Sequence, residues 1–256
     1  KSATSTNPLT PKVGHMELGV PTATIMATAT TVLLAIHMTT PMNTSKDFLT
    51  ALQWLSPAFP IGSFAYSHGL EWAISAGHVT QEAELLEWVR DLVQFGSGRN
   101  DAFLVSLGYQ AHDIQALRDL NAQALALSAS RERQAETVFQ GQAFVKTLND
   151  VWGHDLPSLC YPVAVGAAAR LETLPQADIV AAYLHAFSAN LISAAVRLVP
   201  LGQTQGQRVL LELTSSLLSV SNAALDADAC ALSSTTFLSD VASMRHENLQ
   251  TRVFRT

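Results

Sequence analysis

The sequence predicts an all-α protein, a single-domain bundle of about nine or ten helices with a mobile C-terminal tail. Three observations support this prediction. Apolar residues recur at helical spacing through most of the chain from residue 44 onward. Proline and glycine interrupt these segments where helices would end. No segment of the sequence alternates strictly between apolar and polar residues, and hairpin dipeptides such as Asn-Gly do not occur in it.

The first predicted helices follow from capping residues and breakers. A short amphipathic helix begins at Asp47 and is stopped by Pro57. Ser63 or Ser67 is expected to cap a second helix, which carries residues 70–72. A third helix has Thr80 as its expected cap and an apolar stripe formed by Leu85, Leu86, Val89, Leu92 and Val93.

In the middle of the chain, the segment Gly96-Ser97-Gly98 is predicted to be a turn between two helices, the second of which opens at Asn100 or Asp101. Residues 114–127 form another predicted helix. Ser130 is expected to cap a long helix that ends near Gly153.

Three further helices are predicted towards the C-terminus. An alanine-rich helix covers residues 163–172, and Pro175 then occupies the first position of the next helix. That helix, residues 177–199, is apolar on nearly all sides and is predicted to be the central buried helix. Thr204 is expected to cap the helix that follows.

Residues 1–37 differ from the rest of the sequence, and we interpret them as an extension, a disordered or non-native leader, that precedes a domain at residues 38–256. The uncharged run at residues 19–36 has the length of a signal-peptide core or a short membrane span. Its threonines make it only weakly apolar, and no basic cluster directly precedes it. The sequence therefore predicts no membrane association.

The composition favours a protein that binds other proteins. Only 14% of the residues are charged, so part of the surface is expected to be covered by a partner. The net charge of −6 argues against nucleic-acid binding, which needs a basic surface. The chain has only two cysteines, which suggests no disulfide framework and fits a cytoplasmic protein.

No catalytic motif is complete. The sequence lacks the phosphate-binding loop G-x-x-x-x-G-K-[ST], so it is not expected to hydrolyse nucleotides by itself. It also lacks the G-x-S-x-G nucleophile motif, and a nucleophilic Ser63 beside His68 is the weaker interpretation because triads form through the fold. We therefore predict no catalytic residues.

Metal ligands are similarly sparse. No two of the eight histidines lie three or four residues apart, so one helix cannot present a paired imidazole site. The best alternative site is Asp226, Asp228 and Cys230, although a capping aspartate and a buried cysteine are the favoured interpretation. His185 is interpreted as a core histidine. We predict no metal site and no tightly bound cofactor.

Several charged residues leave two interpretations open. Arg197 ends an apolar helix, where it could satisfy the last carbonyls or contact a partner. Arg131, Glu132 and Glu136 are interpreted as a solvated helix face. Arg252 and Arg255 could supply a charge to a GTPase in trans, but ordinary ion pairing at an interface is favoured.

Four segments together resemble the urease accessory protein UreF family. They are SPAFPIGSFAYSHGLE at residues 56–71, Arg131-Glu132 with Gln140-Gly141, SAAVRLVPLGQTQGQ at residues 193–207, and DVASMRHE at residues 240–247 with TRVFRT at residues 251–256. They occur in the order of the family pattern. Phe59, His68 and Val253 depart from the residues that are frequent there.

The resemblance implies an all-α protein that dimerises and helps to mature nickel-dependent urease without being an enzyme. It implies binding to a UreD-type (also called UreH) protein, recruitment of the GTPase UreG, and nickel delivery to apo-urease, with nickel handled by the complex. The resemblance implies partner contacts in three places. One is a surface at Tyr66, His68 and Glu71, and another is the helix-end residue Arg197. The third is a tail, residues 240–256, that becomes ordered on the partner through Arg245, His246, Glu247, Arg252, Phe254 and Arg255. The alternatives are an all-α small-molecule enzyme and a weak nickel-storage protein.

Overall fold

The computed structural model describes residues 46–256, and the predicted extension at residues 1–37 lies outside that range. Within the described range the α-helices are α1 Lys46–Leu55, α2 Leu70–Ser75, α3 Glu82–Phe95, α4 Ser97–Gln110, α5 Ile114–Ala126, α6 Arg131–Trp152, α7 Tyr161–Leu171, α8 Gln176–Leu198, α9 Gln203–Leu225 and α10 Phe237–His246. Short 3₁₀ turns cover Ser63–Ala65 and Ala229–Ala231, and these residues contain no strand. The all-α prediction is confirmed.

Several helix ends lie where the capping residues predicted them. Ser130 accepts a hydrogen bond from the Arg133 amide at the start of α6, and Gly153 ends that helix in the left-handed conformation with φ of 76°. The predicted helix at residues 114–127 corresponds to α5, and Asp113, for which no cap had been predicted, caps it by accepting from the Ala116 amide. Gly96 separates α3 from α4, so the predicted break between two helices is confirmed, but it is a single residue because Ser97 and Gly98 belong to α4.

Other predicted ends were wrong by a few residues. Gln81, not Thr80, is the N-cap of α3, and Thr80 donates to the Glu84 carboxylate instead. α4 begins at Ser97, ahead of Asn100 and Asp101. Pro175 and Gly202 are the N-caps of α8 and α9, and the Gln205 side chain accepts from the Gly202 amide, which leaves Thr204 inside the helix.

The central buried helix is α7 rather than α8, which corrects the sequence prediction. Nine of the eleven residues of α7 are buried. Small residues permit this burial, because a Cβ atom on Gly166 would lie 2.1 Å from the Val105 carbonyl oxygen of α4, and one on Gly141 of α6 would lie 2.0 Å from the Leu159 oxygen. Backbones that approach this closely leave no room for a side chain, so α4 and α6 enclose α7.

The helix α8 packs against α9, α4 and α3 and has one exposed face. His185 lies on that face, so the interpretation of His185 as a core residue was wrong. Among the described helices, α8 is the one that is long and apolar enough to cross a membrane. Half of its most apolar stretch of 18 residues, however, is buried inside the protein. A helix that packs in a protein core has the same composition.

The last helix, α10, lies directly on α2. A Cβ atom on Gly69, which has a left-handed φ of 78°, would lie 2.5 Å from the Ser243 amide nitrogen. Ser130 at the start of α6 contacts α10 as well, since the two hydroxyl oxygens of Ser130 and Ser243 are 2.6 Å apart. This packing places the C-terminal residues beside the motif at residues 56–71.

Candidate partner-binding site

The C-terminal tail, residues 240–256, is docked on the body of the same chain. The Arg255 amide donates to the Ala65 carbonyl at 2.8 Å, and the Ser67 amide donates to the Thr256 oxygen at 2.8 Å. The Ser67 hydroxyl donates to the same Thr256 oxygen and accepts from the Glu71 amide at 3.3 Å. Ser67 therefore bonds to the first turn of α2 as predicted, although Gly69 is the N-cap residue.

A first polar cluster, which we call the His246 cluster, consists of Glu71, Glu132, His246 and Arg252. The His246 ring is fully buried and lies between two carboxylates, with Nδ1 2.7 Å from Glu132 Oε2 and Nε2 3.1 Å from Glu71 Oε2. Arg252 also donates to Glu132. Tail, α2 and α6 are therefore connected by one set of charged hydrogen bonds.

The Glu71 carboxylate also holds the tail backbone. Its two oxygens accept from the Val253 amide at 2.6 Å and from the Phe254 amide at 2.9 Å. A buried carboxylate needs such donors because it has lost its water. The same side chain therefore fixes both the ring of His246 and the backbone seven and eight residues further along.

A second polar cluster, the Glu136 cluster, consists of His68, Arg133, Glu136, Gln140 and Thr256. Glu136 accepts from Gln140 at 3.1 Å, from the Thr256 hydroxyl at 3.0 Å and from Arg133. Its Oε1 atom also lies 2.9 Å from His68 Nε2, which is in turn 2.9 Å from Arg133 Nη1. Burial alone would raise the pKa of Glu136, but the charges of Arg133 and His68 outweigh it and lower the pKa to about 2. The tail thus ends on an ionised carboxylate.

His68 has an unusual environment. Burial and the neighbouring Arg133 charge lower the pKa of its ring, against the opposing effect of Glu136. Its Nδ1 atom has no hydrogen-bond partner within the described part of the chain. The ring borders a cavity of about 60 Å³, which Asn100, Asp101 and Arg133 also line. A space of this size accommodates a few water molecules.

The Asp101 carboxyl lies in the wall of the same cavity. It accepts a hydrogen bond from the Tyr183 hydroxyl at 3.0 Å. Burial raises its pKa to about 6, although the Arg133 charge and the Tyr183 hydrogen bond act in the opposite direction. The pKa of Asp101 is therefore much closer to neutral pH than the pKa of Glu136.

Arg197 holds the docked tail from the outer side. Its guanidinium lies 4.6 Å from the Phe254 ring centroid and donates to the Ser193 and Phe64 carbonyl oxygens, each at 3.1 Å. The bond to Ser193 agrees with the interpretation that Arg197 satisfies carbonyls of its own helix, whereas contact with a partner stays a prediction, because Phe64 and Phe254 belong to the same chain.

Around these contacts lies an exposed surface that we call the tail face, formed by Phe64, Arg197, Arg252, Val253 and Arg255. Phe64 is 63% exposed and Val253 is 71% exposed. The three arginines are exposed as well. Arg197 contacts Phe64 and Phe254, and the Arg255 amide contacts Ala65, so the end of the tail lies against residues 64–65 and the end of α8.

Several residues predicted to form surface are instead buried. Tyr66, His68 and Glu71 are at most 7% exposed, and His246 and Phe254 are at most 3% exposed. The prediction of a mobile tail likewise differs from the structure, because these buried residues pack the tail within its own chain. Of the remaining tail residues, Arg245, Arg252 and Arg255 are exposed, and Glu247 binds Arg131.

The interpretation of residues 131–136 as a solvated face was also wrong in part. Arg131 is exposed, but Glu136 is buried and the Glu132 side chain is only 17% exposed. Glu132, Glu136 and Gln140 follow each other at intervals of four residues, which places them on one face of α6. That spacing was visible in the sequence and indicates a polar helix face. It cannot, however, distinguish a polar face that is exposed to water from one that is covered by a tail.

The alternative metal site is not assembled. Asp226 ends α9, and Asp228 accepts from the Cys230 amide, so it caps a 3₁₀ turn as the favoured interpretation expected. Cys230 is exposed, whereas a buried cysteine was expected. Within residues 46–256 no group of three or more histidine, cysteine, aspartate or glutamate side chains could hold a metal ion.

Comparisons with known proteins agree on one family. The sequence model of the UreF family matches residues 79–214. A urease accessory protein UreF from Ruegeria pomeroyi is 49% identical over 219 residues, which cover 86% of this chain and all of that protein. Proteins of the same name from Cereibacter sphaeroides and Roseobacter denitrificans are 48% and 45% identical, cover 83% and 87% of this chain, and are themselves covered completely.

Proposed function

The chain belongs to the UreF family of urease accessory proteins, and on that premise we propose that it is a non-catalytic scaffold of urease maturation. In this proposal it binds a UreD/UreH-type protein and a UreG-type GTPase in the cytoplasm, as a homodimer. The assembly couples GTP hydrolysis to nickel delivery into apo-urease, so that nickel is the cargo of the complex rather than a cofactor of this chain.

The observation that carries the proposal is the composition of the tail face. It combines exposed Phe64 and Val253 with three arginines, on a chain whose net charge is −6. Aromatic residues and arginine are enriched in the buried centre of protein interfaces. A surface of this kind suits a protein partner that offers apolar groups beside carboxylates.

The docked tail explains how such a surface could be presented. Phe254 is 3% exposed and anchors the chain, while its neighbours Val253 and Arg255 point away from the body. A surface that is already ordered needs less conformational entropy for binding than a loose tail does. We therefore place the UreD/UreH-type partner on the tail face in its docked form.

Point substitutions test this proposal better than a deletion of the tail. Removing residues 240–256 would remove the buried side chains of Ala242, His246 and Phe254 and expose the part of the protein that they cover. We expect Val253→Asp to weaken capture of a UreD/UreH-type protein at least tenfold, since it places a carboxylate in an apolar contact. Leu211→Asp on α9 is the matched control, as Leu211 is 73% exposed and lies outside the tail face.

The two variants separate the outcomes. Loss of capture by Val253→Asp with normal capture by Leu211→Asp would support the tail face. Normal capture by Val253→Asp, or equal losses in both variants, would contradict the assignment. Activation of apo-urease with and without the native chain then tests the accessory function itself, and activation that does not depend on the chain would refute it.

The role of Arg252 can be tested separately. It binds Glu132 within the chain, which supports ion pairing rather than a charge supplied to a GTPase. We expect Arg252→Ala to leave the GTP hydrolysis rate of an assembled UreG-type protein within about twofold, whereas loss of an arginine that stabilises the transition state costs about 1,000-fold or more. A large loss of rate in an intact complex would reverse this interpretation.

A further inference from the structure

We draw no further inference here: the strongest candidate, the exposed apolar face that Phe48, Leu49 and Leu52 form on α1, carries none because nothing in the structure shows what covers it.

Discussion

The close contact between α2 and α10 leads to a prediction that isolates tail docking from the charged groups. At Gly69 an added Cβ atom would lie 2.5 Å from the Ser243 nitrogen and 2.8 Å from the Ala242 carbonyl carbon. Both are backbone atoms, so no side chain can rotate away. Gly69→Ala must therefore separate the two helices by about 1 Å, since ordinary carbon contacts are about 3.5 Å or longer.

The chain provides a matched control at Gly77, which ends the same short stretch of helix. Its φ of 77° is nearly the same as the 78° of Gly69, but a Cβ atom there would meet nothing within 4 Å. Gly77→Ala should cost only the left-handed strain, about 1–2 kcal/mol. Gly69→Ala should cost that amount plus about 1–3 kcal/mol for overpacking.

Two measurements check the pair of variants. Urea denaturation gives the free energy of unfolding of each, and hydrogen exchange gives the protection of the Val253 and Phe254 amides relative to the native chain. We expect reduced tail protection in Gly69→Ala alone, because only that substitution displaces α10. Equal tail protection in the two variants would show that the contact between α2 and α10 does not hold the tail, and would refute the reasoning.

Two further predictions concern buried groups. Burial raises the pKa of Asp101 from 3.8 to about 6, so between these pH values the unfolded chain ionises while the folded chain does not, and the folded state loses stability as the pH rises through this range. Asp101→Asn should therefore have nearly the native free energy of unfolding near pH 4 and exceed it by about 3 kcal/mol at pH 7, at ~1.4 kcal/mol per unit of pKa shift. Urea denaturation of both chains across this pH range measures the difference between their free energies of unfolding. A difference that does not change with pH would contradict the prediction. Cys160 is buried and burial raises the pKa of its thiol to about 12, whereas Cys230 is exposed, so a thiol reagent should label one cysteine rapidly in the folded chain. Rapid labelling of Cys160 in the native chain would show that the core around α7 opens readily.

Much of the fold could be predicted because it depends on local signals. Ser130 and Gly153 mark the ends of α6 through their own hydrogen bonding and backbone conformation. The errors at Thr80 and Thr204 arose because a neighbouring residue provided the cap, and such a choice depends on differences of about 1 kcal/mol. Sequence periodicity alone cannot resolve differences of that size.

The two segments that form the candidate site were singled out from the sequence, but their burial was not predicted. Residues 56–71 and the tail were both singled out, and the structure brings them into contact. The pairing of Glu71 with His246, 175 residues further along, has no local signature. Glu136 was misread for the same reason, since a polar side chain on a helix faces water unless a distant segment covers it.

By itself the sequence determined the helical class, most helix ends and the family, because capping, periodicity and motif order reside in residues close together along the chain. The tertiary structure decided that α7 is the buried helix, since only the approach of backbones at Gly108, Gly141 and Gly166 shows which helix is enclosed. It also decided that His246 lies between two carboxylates. Burial and charge pairing depend on contacts between distant residues, and the free energies of those contacts are set only when the chain has folded.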